Sequence, residues 1–216
     1  TLAVDLTFAF APTFATYAAL KSTHTITLTL IHNNTQTHIH TIIHNHTHAH
    51  NRANTRTHTQ SYLHSYTTDQ SLHDQTHQDL RRARAAGQSI IPTTTGAAKA
   101  LTKIFPEFAE KIGGCGIRVP VINGSLTDIT FNVKDETSVE AINTAFKEAA
   151  NSSFKGILEY TEDPIVSIDI VGNTHSCVFD AQMTSVIGNM VKIIGWYDNE
   201  TGYSSRIIDL IYKISD

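Results

Sequence analysis

Three polar side chains lie in short segments that could do chemistry. His64 lies in LHSYT, Arg118 in IRVP and Asn199 in WYDNE. A histidine can move a proton near neutral pH, and an arginine can hold a phosphate group. Taken singly, each residue could equally be structural: a satisfied histidine, a surface charge beside a strand, or a turn residue. Whether they act together depends on the fold that positions them.

The three segments belong to a longer ordered series of motifs. The series is HSYT at 64–67, RRARAA at 81–86, IIPTTTGAAK at 90–99, RVP at 118–120, GILEYTED at 156–163, THS at 174–176 and WYDNE at 196–200. In order and spacing it resembles the phosphorylating, NAD-dependent glyceraldehyde-3-phosphate dehydrogenases. The resemblance runs from about residue 62 to the end of the chain and covers the C-terminal catalytic domain of that family.

The resemblance implies glycolytic oxidation of glyceraldehyde 3-phosphate to 1,3-bisphosphoglycerate. In this family a cysteine thiolate attacks the aldehyde, hydride passes to NAD, and inorganic phosphate releases the acyl group. His64 matches the histidine that pairs with the thiolate and takes the proton as the thiohemiacetal collapses. Thr67 and Arg118 match the residues that hold the phosphate of the substrate.

Two further groups of residues are assigned by the same resemblance. Thr95 and Gly96 match the site of the attacking inorganic phosphate, where backbone N–H groups at a helix N-terminus favour an anion. Arg84 or Arg81 assists there. Asn199 matches the side chain that orients the nicotinamide carboxamide. Tyr203 lies in the same closing turn, so we expect cofactor contacts there too.

The expected site joins residues far apart in the sequence. We predict that one phosphate-lined pocket collects His64, Thr67, Thr95, Gly96 and Arg118.

Hydrophobic periodicity predicts the elements that position this site. A helix is expected from Gly96 to Phe105, and a strand is expected where Ile129, Phe131 and Val133 alternate with polar residues. A helix over 138–149 would begin with the capping-box spacing of Thr137 and Glu140. Further strands are expected near 165–170, 176–180, 183–187 and 190–196, followed by a helix over 202–214. Such runs predict an α+β fold, and the resemblance implies a mixed, largely antiparallel sheet with helices packed on one face.

The first sixty residues have a different composition from the rest. They contain no Gly, no Glu, one Lys and nine of the thirteen His. From Thr23 to Thr59, His occupies only even positions and Thr only odd ones. We therefore divide the chain into a low-complexity segment, 1–60, and a catalytic domain, 61–216.

The two-residue repeat has three explanations. Repeating ACACAC in DNA encodes alternating Thr and His, which we favour because most departures lie one base change from those codons. A strand with its imidazoles on one face could instead bind Zn, Ni or Cu, and the segment could also be a disordered tail. We predict no metal site there, because nothing in the repeat fixes the geometry of the ligands.

Departures from the family pattern concern catalysis. The family nucleophile lies in an SCTTNC segment that falls near Thr37 in this chain, where no cysteine is found, and the first glycine is Gly87, so the glycine-rich dinucleotide turn is missing. Cys115 and Cys177 match ordinary structural positions, and Thr201 replaces a usual aromatic residue. We therefore expect the 216-residue chain to be inactive by itself.

Composition limits the other partners. A net charge of −4 argues against nucleic acid as a partner, and residues 1–20 lack the features of a signal or membrane anchor. Two cysteines without metal-binding spacing fit a cytoplasmic protein, and the resemblance implies a homotetramer. Three alternatives stay open: a non-catalytic binding or oligomerisation remnant, an enzyme acting on erythrose 4-phosphate, and a His-rich metal-binding protein.

Overall fold

The computed structural model describes residues 58–94, 110–133 and 135–215, together with two short strands near the N-terminus. Those strands, β1 (Thr7–Ala9) and β2 (Thr16–Tyr17), pair antiparallel with each other. The expected helix starting at Gly96 lies outside the described residues, as does most of the Thr- and His-rich segment.

Seven strands form one mixed sheet. They are β3 (His58–Ser65), β4 (Ile91–Thr93), β5 (Ile112–Val119), β6 (Ser125–Asn132), β7 (Leu158–Thr161), β8 (Cys177–Ile187) and β9 (Met190–Tyr197). Their order across the sheet is β4-β5-β3-β6-β9-β8-β7. The β3–β5 and β7–β8 pairs are parallel and the other neighbouring pairs antiparallel. With two α-helices, this sheet confirms the predicted α+β fold.

The α-helices among the described residues are α1 (Val139–Asn151) and α2 (Thr201–Ser215), and a 3-10 turn spans Ala86–Gln88. Helix α1 begins at Val139, one residue later than predicted, and its N-cap is Ser138, whose hydroxyl accepts the N–H of Ala141 at 3.2 Å. Thr137 is therefore not the N-cap. Glu140 still lies in the first turn, where a carboxylate is favourable.

The core lies between α1 and the sheet. The ring of Phe146 on α1 stacks on Phe179 of β8 at 4.0 Å between centroids. Alternation along β6 buries every second residue, as expected for Ile129 and Phe131. The buried cluster consists of Ile129, Phe131, Ile142, Phe146, Leu158, Cys177, Phe179, Ala181, Val191 and Ile193.

The face of the sheet that α1 covers, here called the inner face, changes character along the strands. Ile129 and Ile193 lie at its apolar end. Farther along the same alternating rows of β6 and β9 come Ser125 and Tyr197, which are cross-strand partners. His64 ends the corresponding row of β3. The inner face therefore has a packed apolar end and a polar end.

The prediction of a strand near 165–170 is wrong. The segment forms turns instead: the N–H of Asp169 donates to the carbonyl of Val166 at 3.0 Å, and the Asp169 carboxylate accepts the N–H of Val166 at 2.7 Å. Ile168 is 72% exposed, so the apolar alternation does not mark a buried face. The two strands expected at 176–180 and 183–187 are one strand, β8, whose pairing with β9 shifts between Asp180 and Ser185.

Two further observations concern the rest of the chain. Strand β3 begins at His58, within the Thr- and His-rich stretch, and the domain boundary between 60 and 61 stays a prediction. No helix among the described residues is long and apolar enough to cross a membrane.

Candidate active site

His64 lies at the polar end of the inner face among aromatic side chains. Its Nδ1 is 2.8 Å from the hydroxyl of Tyr197, and its ring stacks on Tyr62 at 5.7 Å and 12°. The strand register explains the contact with Tyr197. Leu63 pairs with Leu126, which places His64 opposite Ser125, and Ser125 pairs with Tyr197. The small Ser125 on β6 therefore lies between His64 on β3 and Tyr197 on β9. Two long side chains can therefore meet above Ser125.

The two tyrosines beside His64 are neutral phenols. Burial raises the pKa of Tyr62, and the nearby Tyr197 adds to the effect. Burial also raises the pKa of Tyr197, although the Ser125 hydroxyl and the charge of Arg118 act in the opposite direction. Each hydroxyl therefore keeps its proton near neutral pH and can both donate and accept a hydrogen bond.

Arg118 is the direct neighbour of His64 in the parallel strand β5. Its Nη1 donates to the carbonyl of Ser65 at 3.1 Å. Burial lowers the pKa of Arg118, and repulsion from Arg82 lowers it further. An arginine stays charged in spite of such shifts, so the positive charges of Arg118 and Arg82 repel each other. The carboxylate of Asp69, which pairs with Arg82, partly offsets this repulsion.

Of the arginines in the RRAR run, Arg82 is the one that approaches Arg118. Its Nε and Nη2 donate to the hydroxyl of Thr93 at 3.0 and 2.8 Å, and its Nη1 contacts the carboxylate of Asp69. The structure places Arg84, the residue chosen from the sequence, in an exposed ion pair with Asp74 at 3.0 Å.

Arg81, the alternative chosen from the sequence, is also exposed. Arg81, Arg82 and Arg84 lie within four positions, and nothing in the sequence distinguishes Arg82 from the other two.

Thr67 lies in the turn that follows β3. Its N–H donates to Oε1 of Gln70 at 3.2 Å, and its carbonyl accepts the N–H of Gln70 at 2.9 Å. This turn fixes Thr67 two residues beyond Ser65, whose carbonyl binds Arg118. Thr95 and Gly96 lie outside the described residues. Strand β4 ends at Thr93, which Arg82 holds, so the chain leaves the described part close to the two arginines.

Asn199 is joined to the end of β3 by two serines. Its Nδ2 donates to the hydroxyl of Ser65, and its Oδ1 accepts the hydroxyl of Ser125 at 2.6 Å. The backbone N–H of Ser65 donates to the same Ser125 oxygen at 3.3 Å. Tyr203 is half-buried in the first turn of α2. The described contacts thus bring His64, Arg118 and Asn199 to one end of the sheet.

Asp198 anchors the turn that carries Asn199. Its Oδ1 accepts the N–H groups of Glu200 and Thr201 at 2.9 and 2.7 Å at the start of α2. Its Oδ2 accepts from Asn123 and from the N–H of Gly172, both at 2.8 Å. Thr201 contributes its backbone here, so this contact does not need the aromatic side chain usual in the family.

Replacing Asp198 by asparagine is expected to lower the free energy of unfolding by about 1–3 kcal/mol, because an amide NH₂ would face donors that now meet a carboxylate. Burial raises the pKa of Asp198, but the hydrogen bonds outweigh it and hold the pKa below its usual range. A depressed pKa adds stability above the unfolded value of about 3.9. This stability is lost as the pH falls through the folded value.

Urea unfolding of the native chain and of Asp198→Asn from neutral to acid pH checks this expectation. The difference between them should shrink as the pH falls. A difference independent of pH would contradict the assignment of the carboxylate as the source. Asp163→Asn, at an exposed carboxylate, is the matched control.

The two cysteines differ in their surroundings. Cys115 is exposed on β5. Cys177 is fully buried in the core cluster, and burial raises the pKa of its thiol, so a thiolate is disfavoured there. Among the described residues, no group of three or more His, Cys, Asp or Glu could hold a metal ion. The segment rich in His lies outside them, so the expectation about metal binding stays a prediction.

Comparison with known proteins decides the family. The sequence profile described as "Glyceraldehyde 3-phosphate dehydrogenase, C-terminal domain" matches residues 48–199. The chain belongs to this family. The match covers both β3, with His64, and the turn that carries Asn199.

Individual glyceraldehyde-3-phosphate dehydrogenases show the same similarity. Glyceraldehyde-3-phosphate dehydrogenase 1 of Streptomyces avermitilis is 52% identical over 150 residues, which are 69% of this chain and 45% of that protein. Glyceraldehyde-3-phosphate dehydrogenase of Mycobacterium avium is 53% identical over 145 residues, 67% of this chain and 43% of that protein. The chain spans less than half the length of these curated relatives.

Proposed function

We propose that this glyceraldehyde-3-phosphate dehydrogenase C-terminal domain supplies the base and the phosphate-binding side chains for oxidation of glyceraldehyde 3-phosphate. One observation supports this most strongly: His64 and Arg118 are side by side on adjacent strands, in register. A base and a cation on the same face can act on one small phosphorylated aldehyde. The family membership suggests which aldehyde.

The proposed roles rest on the family resemblance, together with the contacts of those residues that the structure describes. Arg118 and Thr67 hold the phosphate of the substrate at the end of β3, beside His64. Arg82, with Thr93 and the adjoining Thr95 and Gly96, holds the inorganic phosphate that attacks the acyl group. Arg84, which the resemblance assigns to this role, is exposed and pairs with Asp74, whereas Arg82 donates to the hydroxyl of Thr93.

One side chain at the polar end of the inner face, that of Asn199, is suited to binding NAD. When bound, it would accept the hydride of the aldehyde. Asn199 has the amide group needed to orient a carboxamide, and Ser65 and Ser125 hold that amide in place. Tyr203 is the second candidate for cofactor contact, since it lies four residues after Asn199, in the first turn of α2.

We expect the nucleophilic thiol to come from residues that do not belong to this 216-residue chain. No cysteine precedes Cys115 in the chain, and burial of Cys177 keeps its thiol protonated. We therefore propose that the 216-residue chain does not oxidise glyceraldehyde 3-phosphate by itself, since groups that act as a unit fail together.

A chimera tests the proposal. It joins the N-terminal part of the Streptomyces avermitilis relative, with its cysteine, to residues 58–216, because β3 begins at His58 and must not be interrupted. The chimera should show activity that depends on both NAD and inorganic phosphate, and the unmodified chain should show none. A folded but inactive chimera would contradict the proposed roles, and an active unmodified chain would contradict the proposed inactivity.

The same chimera separates the alternatives. Comparison of kcat/KM for glyceraldehyde 3-phosphate and erythrose 4-phosphate shows which sugar phosphate the pocket prefers, and we expect the triose. A non-catalytic remnant would give no activity with either substrate. Assembly as a homotetramer and a cytoplasmic location stay predictions, the first of which sedimentation of the chimera would check.

A further inference from the structure

Gln70, in the turn that follows β3, folds its side chain back onto Thr67. Its Oε1 accepts the N–H of Thr67 at 3.2 Å, and its backbone N–H donates to the carbonyl of Thr67 at 2.9 Å. A backbone N–H needs an acceptor, so this contact fixes which end of the carboxamide is oxygen and which is nitrogen. The NH₂ group of Gln70 therefore lies beside Thr67 as well, because it shares one carbon with Oε1.

This NH₂ group is a buried donor that lacks an acceptor. Nε2 of Gln70 has no hydrogen-bond partner in the part of the chain that the structure describes, where only the side-chain oxygen of Thr127 shares this condition. A buried polar group without a partner costs free energy, because it has given up water and gained nothing in exchange. A ligand that brings an acceptor oxygen to Nε2 would recover that cost, so the buried donor indicates a binding position.

The backbone on both sides of Gln70 is held in place. Before it, the N–H of Tyr66 donates to the carbonyl of Val121 at 3.2 Å. After it, the carbonyl of Ser71 accepts the N–H of Ala86 at 2.9 Å, and Ser71 is buried. The turn therefore keeps Nε2 in its buried place, and an acceptor has to come to Gln70.

The charges around this turn favour an anionic ligand. The guanidinium of Arg118 donates to the carbonyl of Ser65, two residues before Thr67, at 3.1 Å. The carboxylate in the turn itself, that of Asp69, pairs with Arg82, which offsets its charge. A phosphate group has several oxygens, which can accept hydrogen bonds from a cation and from neutral N–H groups at the same time.

We propose that Nε2 of Gln70 is a further ligand of the substrate phosphate, beside Thr67 and Arg118. Oε1 keeps the N–H of Thr67 while Nε2 donates to a phosphate oxygen, so one carboxamide both holds the turn and binds the ligand. Because the donor is neutral, it contributes a hydrogen bond of defined direction without adding charge. This inference rests on the proposed binding of the substrate phosphate by Thr67 and Arg118.

NMR of the ¹⁵N-labelled 216-residue chain tests the proposal without any variant. Glyceraldehyde 3-phosphate is added, and the side-chain NH₂ resonances of the glutamines are followed together with those of the backbone. We expect the NH₂ resonances of Gln70 to shift together with the backbone resonances of Thr67 and Arg118. The NH₂ group of Gln75, which is exposed in the same loop, should stay unchanged. Shifts at Thr67 and Arg118 without a shift of the Gln70 NH₂ group would overturn the proposal and leave the phosphate site standing.

Gln70→Glu gives a second measurement, because its carboxylate still accepts the N–H of Thr67 but repels a phosphate where Nε2 would donate. The Kd for glyceraldehyde 3-phosphate should rise about tenfold or more. The matched control, Gln75→Glu, adds the same charge at an exposed position and should change Kd by less than about twofold. Equal Kd values for folded Gln70→Glu and the native chain would also overturn the proposal. Absence of any shift at Thr67 and Arg118 in the native chain would contradict the proposed phosphate site itself, and this inference with it.

Discussion

Replacing His64 by alanine in the chimera is expected to lower kcat by about 10²–10⁴-fold, the usual contribution of a positioned general base. The effect should fall on kcat because the proton moves in the chemical step, whereas the proposed role of Arg118 is to hold the substrate phosphate. Stopped-flow measurement of NADH formation with saturating substrates checks the size of the loss.

Two companion variants make this result specific. His73→Ala, at an exposed histidine in the loop after β3, should keep full activity. Arg118→Ala should mainly raise KM for glyceraldehyde 3-phosphate, because it removes the proposed ligand of the substrate phosphate. An active chimera that tolerates His64→Ala would show that another group acts as the base.

Replacing Phe179 by alanine should lower the free energy of unfolding by about 3–5 kcal/mol. Phe179 is completely buried on β8, between the stacked rings of Phe146 at 4.0 Å and Tyr160 at 5.9 Å. Its loss leaves a cavity where α1 packs on the sheet. Because domains of this size are stable by about 5–15 kcal/mol, the variant should be close to unfolding at 37 °C.

Urea unfolding followed by tryptophan fluorescence measures this loss through Trp196. Ile187→Ala on the same strand is the matched control, since Ile187 is 68% exposed and its truncation should change stability by at most about 0.5 kcal/mol. Equal losses in the two variants would contradict the placement of the core on the inner face.

The sequence predicts those elements whose pattern is local. Alternation at Ile129 and Phe131 marks β6, and the amphipathic run marks α1, because each buries one face against the same core. Strand β5 carries Gly113, Gly114 and Gly116 and gives no such pattern. A side chain at Gly114 would collide with the carbonyl of Gln60 at 2.4 Å, so close approach of β3 explains that glycine.

The site is predictable to the extent that its residues lie in recognisable motifs. His64, Arg118 and Asn199 stand out for that reason. Tyr197 and Arg82 lie in the same motifs, yet their contacts depend on the register of β3, β6 and β9 and on the path of the loop before β4. Spacing along the sequence does not determine either feature, so only the structure shows that these two side chains reach His64 and Arg118.

We propose that the end of β3 beside Arg118 binds the phosphate of a small sugar phosphate. Titration of the ¹⁵N-labelled 216-residue chain with glyceraldehyde 3-phosphate, followed by NMR, tests it without any added domain. Resonances of Tyr66, Thr67 and Arg118 should shift together, unphosphorylated glyceraldehyde should leave them in place, and Arg118→Gln should abolish the shifts. Shifts located instead around Arg206 of α2, whose Nη1 donates to the hydroxyl of Ser176 at 3.2 Å, or shifts unchanged in Arg118→Gln, would contradict this binding site.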